Sequence, residues 1–225
     1  MTNCLLLIPT AFELQHLPNH FLQAVERNGA AIELCGFGPV VAAARAASLI
    51  ASYRPKQVVL CGIAGALDDS LDVGSAYCFD EVACYGIGVG DGQSFRTASM
   101  MGWRQWPGNN SSSTQDDSEG LSASIEDVIT LRSKHDSPDE SKQLLTSCAA
   151  SQSKFDVELK RKLFPKALAE DMEGFAVAAA CQLAGVPLGI VRGISNCAGD
   201  RTHSQWKIAE AMMAAAKLVE EMEAI

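Results

Sequence analysis

Within its first sixty residues the chain alternates short apolar runs with helix-forming segments, and few architectures accept that alternation. Residues 5–8 predict a strand, 13–28 a helix and 31–36 a second strand. An alanine-rich helix is expected over 40–53, and 57–62 reads as a third strand entering a glycine turn. Strands that alternate with helices imply a largely parallel sheet covered by helices on both faces. The composition changes near residue 88. From about 88 to 143 the chain is polar, with Asn109-Asn-Ser-Ser-Ser-Thr-Gln-Asp-Asp117 at its centre, and it lacks the apolar surface to order itself well. We read it as a surface insertion in one domain spanning 1–225, whose flanks Phe95, Trp103 and Trp106 could fold over a pocket as a lid. The α/β pattern then resumes, with a helix over 157–163, a helix beginning at Glu173, a strand over 186–196 and a last helix from about 205.

Composition excludes several function classes. The formal net charge of -9 argues against nucleic acid or an anionic membrane as partner. The apolar run at 5–8 is too short for a leader or a membrane span, so a cytoplasmic location is expected. Eight cysteines are scattered singly and form no Cys-x-x-Cys pair, which favours reduced, buried thiols over a disulfide framework. The four histidines have no metal-ligand spacing. Neither a metal nor a cofactor is expected.

The chemistry concentrates in Ala169-Glu-Asp-Met-Glu-Gly-Phe-Ala176 and, after a short turn, Val191-Arg-Gly-Ile-Ser-Asn196. Glu173 stands at the start of a helix that is apolar on every side. Met172, Phe175, Ala176, Ala179, Ala180 and Leu183 form one stripe, while Val177, Cys181 and Ala184 fill much of the rest, so burial is expected. A carboxylate there is costly unless something pairs with it, although the helix dipole also favours an acid at that position. The second stretch ends in Ser195-Asn196, at the carboxyl end of an expected buried strand, where open α/β sheets bind ligands.

These motifs resemble those of the nucleoside phosphorylase and nucleosidase superfamily. Leu5-Leu-Leu-Ile-Pro-Thr-Ala-Phe-Glu13 is similar to its first strand and catalytic carboxylate. Gly36-Phe-Gly38, Cys61-Gly-Ile-Ala-Gly-Ala66, Val73-Gly74 and Asp80-Glu-Val82 resemble further landmarks, in the superfamily's order. Within it, Gly-Ile-Ala-Gly-Ala, Glu-Asp-Met-Glu-Gly-Phe-Ala and Arg-Gly-Ile-Ser-Asn are most similar to the futalosine hydrolases. The resemblance implies an α/β three-layer sandwich, nucleoside phosphorylase-like, with a central, twisted, mostly parallel (mixed) sheet flanked by helices.

The resemblance also assigns roles. Met172 and Glu173 would grip the ribose hydroxyls, Glu13 would take a proton from water, and Asn196 would bind the purine, oriented by Ser195. Ile63, Ala64 and Gly65 would line the pocket, with Arg201, or alternatively Arg96, holding an anionic tail on the 5′ carbon. Arg192, inside a strand, reads as the partner of a structural acid. An amide at 196 suits a 6-oxopurine, since it donates to N7 and serves a 6-oxo group. Apolar Leu60 and Ile63, where phosphorylases carry arginine and hydroxyl groups, point to water and not phosphate as the nucleophile. The expected ligand is a purine nucleoside, here futalosine on the route to menaquinone, bound by a homodimer or higher homo-oligomer. Two alternatives stay open: a methylthioadenosine or S-adenosylhomocysteine type of nucleosidase, and a non-catalytic nucleoside-binding protein.

Overall fold

The computed structural model describes residues 2–108, 124–131 and 141–222. Its first units are β1 (Cys4–Ile8), α1 (Ala11–Leu14), α2 (Asn19–Arg27), β2 (Ala31–Leu34), α3 (Pro39–Tyr53) and β3 (Gln57–Ala66). β4 (Ala76–Phe79), β5 (Glu81–Tyr85) and the two-residue strands β6 (Gly88–Val89) and β7 (Arg96–Thr97) follow. The remainder comprises β8 (Val128–Thr130), β9 (Gln143–Ser147), α4 (Lys154–Leu163), β10 (Ala167–Asp171), α5 (Gly174–Ala184), β11 (Leu188–Cys197) and α6 (Ile208–Glu221).

Nine strands make one mixed sheet, in the order β2-β1-β3-β10-β9-β5-β8, with β11 on the other edge of β3 and β4 beyond it. β1 pairs in parallel with β2 and β3, β11 with β3, and β9 with β10 and β5. The antiparallel pairs are β10 with β3, β11 with β4 and β5 with β8. Helices cover both faces. Leu5 and Leu7 of β1 pack with Ala42, Ala46 and Ile50 of α3 and Val177 of α5. Leu6 and Ile8 pack on the opposite face with Phe21 of α2 and Met212 and Val219 of α6. A strand buried on both faces has no polar alternation, which explains the continuous run at 5–8. The fold is the expected three-layer sandwich.

Four expectations need correction. The helix expected over 13–28 is two, because Pro18 takes an extended conformation (φ -62°, ψ 136°) ahead of α2; proline disfavours helical geometry in the residue before it and lacks an N–H. The strand expected over 57–62 runs on to Ala66, since β11 pairs with it as far as Ala66. The helix that Glu173 precedes is buried from Gly174 to Ala178, but Leu183 is 41% exposed, so its last turn faces outward. Finally, 88–143 is not polar insertion throughout. Ile125, Asp127, Ile129 and Leu131 are all buried and alternate with outward residues, as β8 pairs antiparallel to β5. Residues 109–117 lie outside the described residues. Among the described residues the flanks of the expected lid do not line the cavity: Phe95 is buried against Tyr85, their ring centroids 5.1 Å apart, and Trp106 bridges to Ile125. Among the described residues no helix is long and apolar enough to cross a membrane.

Candidate active site

A cavity of about 510 Å³ opens where β1, β3, β10 and β11 end, a size suited to a small ligand. All nine residues singled out from the sequence line it. Glu13 follows β1, Ile63, Ala64 and Gly65 end β3, and Met172 and Glu173 follow β10. Ser195 and Asn196 end β11, and Arg201 lies in the loop beyond. Arg96, Phe95, Trp103 and Trp106 are not part of its lining.

Glu13 is placed by local capping. Thr10 caps α1, its hydroxyl oxygen accepting from the Glu13 N–H while the hydroxyl donates to Glu13 Oε2 at 2.6 Å. The Ile63 N–H donates to Glu13 Oε1 at 3.0 Å, so Ile63 serves the site through its backbone. Burial pushes the Glu13 carboxyl up, against the lowering effect of Arg192, Thr10 and Ile63.

Arg192, on β11, is fully buried and pairs with an acid as expected: its Nε donates to Asp171 Oδ2 at 3.1 Å. Asp171 also accepts from the Gly174 N–H at 2.8 Å and the Thr146 hydroxyl at 2.6 Å, tying the start of α5 to β9. But Arg192 does more than the sequence indicated. Its Nη2 reaches Glu173 Oε2 at 3.4 Å, and its Nη1 is buried with no hydrogen-bond partner. A Cβ placed on Gly62 would stand 2.2 Å from Arg192 Nη1 and 2.7 Å from Glu13 Oε1. Only a glycine lets both atoms converge there. The sequence signal was weak: a cation inside an apolar strand, spaced away from every acid it meets.

Glu173 accepts from the Gly38 N–H at 3.0 Å. Gly38 (φ 80°) sits in the left-handed region, and it turns the chain from β2 into α3. Burial raises the Glu173 carboxyl to about 7, with Arg192 opposing and Asp171 adding to the rise. One guanidinium therefore faces three carboxylates.

Asn196 is held from both ends of its amide. The Ser195 hydroxyl donates to Oδ1 at 2.7 Å, and Nδ2 donates to the Cys197 carbonyl at 2.8 Å. The second Nδ2 proton meets the Asp200 carbonyl at only 3.5 Å, a weak contact that a ligand acceptor can replace. In the loop that follows β11 Arg201 stacks over Trp206, 5.1 Å from its ring, with His203 against the same indole, and all three line the cavity. Phe12 and Phe37 also line the cavity and are 51% and 64% exposed. No cluster of three or more His, Cys, Asp or Glu side chains that could hold a metal ion occurs among the described residues.

The fold agrees with comparisons against known proteins. A 5′-methylthioadenosine/S-adenosylhomocysteine nucleosidase of Geobacillus sp. (strain WCH70) is 28% identical over 183 residues, covering 78% of this chain and 72% of the relative. A futalosine hydrolase of Streptomyces coelicolor is 48% identical over 56 residues, 25% of this chain and 24% of the relative. In three dimensions, futalosine hydrolase of Helicobacter pylori strain 26695 superposes with a TM-score of 0.72 at 16% identity, over 99% of this chain and 97% of the other. The family model of the phosphorylase superfamily matches residues 20–225, and the chain belongs to that superfamily.

Proposed function

We propose that the protein hydrolyses the N-glycosidic bond of a purine nucleoside, and that this nucleoside is futalosine, released as hypoxanthine and the remaining sugar on the route to menaquinone. The observation that carries the hydrolytic reading is the convergence of Glu13 Oε1 and the unpartnered Arg192 Nη1 beside Gly62. A water in the cavity against Glu13 gives up a proton to it as its oxygen bonds to the anomeric carbon, while Arg192 behind the carboxylates offsets their charge. A carboxylate raised by burial works as a general base nearer neutrality. Glu173, with Met172 beside it, accepts from the ribose hydroxyls, and these bonds strengthen as the sugar gains cationic character. Asn196 keeps its amide proton and donates a hydrogen bond through Nδ2 to N7 as negative charge gathers on the leaving base, with Ser195 orienting it. Ile63, Ala64 and Gly65 form the floor under the base.

The futalosine assignment rests on two groups of lining residues. The one Nδ2 proton held only by the 3.5 Å contact to Asp200 can be shared between N7 and a 6-oxo group, both acceptors, where an ionised carboxylate would repel both. Arg201 on Trp206, with Phe12 and Phe37, offers a cation and an aromatic slot for a carboxyphenyl tail on the 5′ carbon. Beside the cavity Phe12, Phe37, Val40 and Val41 are at least half exposed, an apolar rim that suits a second copy of the chain in a cytoplasmic homo-oligomer. One observation favours a second reading, a methylthioadenosine-type nucleosidase: the Geobacillus relative matches 78% of the chain and the Streptomyces futalosine hydrolase only 25%.

A panel of purine nucleosides assayed without phosphate separates these readings. We expect free hypoxanthine from futalosine at a kcat/KM at least about tenfold above adenine release from methylthioadenosine. Equal or faster adenine release replaces futalosine with the second reading. A ribose 1-phosphate product, or a rate that rises with phosphate, overturns hydrolysis altogether.

A further inference from the structure

A second buried ion pair lies at the cavity wall and takes no part in the steps above. Lys160, on α4, is 4% exposed, and its Nζ donates to Glu170 Oε2 at 2.7 Å, to the Ala149 carbonyl at 2.9 Å and to the Ser147 hydroxyl oxygen at 3.1 Å. All three ammonium protons are used. Glu170 in turn accepts from the Ser151 N–H at 2.7 Å and the Ser151 hydroxyl at 2.8 Å. The segment 147–151 is thus tied at Ser147, Ala149 and Ser151 to one ion pair. Ala150, between two of these ties, lines the cavity together with Glu170, whereas Lys160 does not.

The sheet places this wall relative to the base site. Glu170 on β10 and Asn196 on β11 are both in register with Gly65 on β3, one from each side. Cross-strand neighbours share a face, so the two residues flank Gly65 about 10 Å apart, two strand spacings. Ala150, Glu170 and Asn196 all line the cavity, so a planar base held by Asn196 through N7 and its 6-substituent presents its N1–C2 edge to Ala150 and Glu170.

We propose that Lys160 and Glu170 are positioning residues that fix the 147–151 wall, and that this wall sets discrimination at N1 of the purine, an N–H donor in a 6-oxopurine and an acceptor in a 6-aminopurine. The proposal rests on the reading of Asn196 as the base-binding residue. A buried ion pair is commonly no more stabilising than apolar residues of equal volume. What apolar residues cannot do is hold a carbonyl, a hydroxyl and an N–H in fixed places.

The test is the double variant Lys160→Met/Glu170→Gln, which removes both charges and keeps the shape of the lining. Its melting temperature is measured first. Then kcat and KM are determined for a 6-oxopurine and a 6-aminopurine nucleoside carrying the same 5′ group. We expect the ratio of the two kcat/KM values to fall about tenfold, chiefly through KM of the preferred substrate. An unchanged ratio, with only the melting temperature lowered, overturns the proposal. If the wild-type protein releases base from neither nucleoside, the nucleosidase reading fails by itself. The wall is then tested by the relative affinity of wild type and variant for free hypoxanthine and adenine, with the same tenfold criterion. Should the double variant not fold, Ser151→Ala, which removes one tie, is expected to lower the ratio about threefold, and no change overturns the proposal.

Discussion

Two buried charge clusters border the same cavity and differ in their balance. At Lys160 one cation meets one carboxylate, and every ammonium proton has an acceptor. At Arg192 one cation meets Asp171, Glu173 and Glu13, with Nη1 left unpartnered and Glu173 raised to about 7. Burial makes both clusters costly unless satisfied. The satisfied one behaves as architecture. The unsatisfied one holds hydrogen-bonding capacity in reserve, which is what the proposed nucleoside site requires.

The contrast is broken most severely by removing the shared cation. Arg192→Met leaves Asp171 and Glu173 buried without it, and we expect a loss of roughly 3–5 kcal/mol in unfolding free energy, measured by denaturant titration. Near-wild-type stability would mean that the carboxylates protonate or rehydrate freely, and that Arg192 does not hold the cluster together.

Next in size is chemistry without structure. Glu13→Gln keeps the shape of the side chain and removes its ability to accept a proton. Turnover should drop by about a hundredfold or more while nucleoside binding and melting temperature stay close to wild type. A near-normal kcat would move the general base to another residue.

The smallest expected effect sharpens the comparison through pH. Glu173 titrates near 4.5 in its ordinary state and at about 7 in the folded protein. Between those values the folded state holds the more protons, so unfolding free energy falls as pH rises from about 4.5 to about 7. The stability is fully present below 4.5 and is lost on passing 7. Glu13, also raised by burial, adds a decline of the same sign. Glu173→Gln should therefore flatten melting temperature against pH across this window without abolishing the slope. A profile as steep as wild type would show that Glu173 is not raised in the folded state.

The α/β class and the carboxyl-end position of the site were legible because both depend on local pattern. Apolar runs bounded by glycine and proline mark strands, and the residues that follow them mark the ligand edge. Glu13, Glu173, Ser195 and Asn196 all stand at such exits, and each lines the cavity. Local signals also existed for two misses. Pro18 marks the break between α1 and α2, and the period-two burial of 125–131 marks β8.

What only the tertiary structure decided is which charges meet. Arg192 finds Asp171 21 residues away in sequence, and Lys160 finds Glu170 across a helix-to-strand connection. The register that brings β3, β10 and β11 side by side at Gly65, antiparallel to β10 and parallel to β11, is set by packing over the whole sheet. Sequence determines where a polar side chain leaves the core. Its partner, and hence whether it is satisfied, follows from strand order and register, which no local pattern encodes.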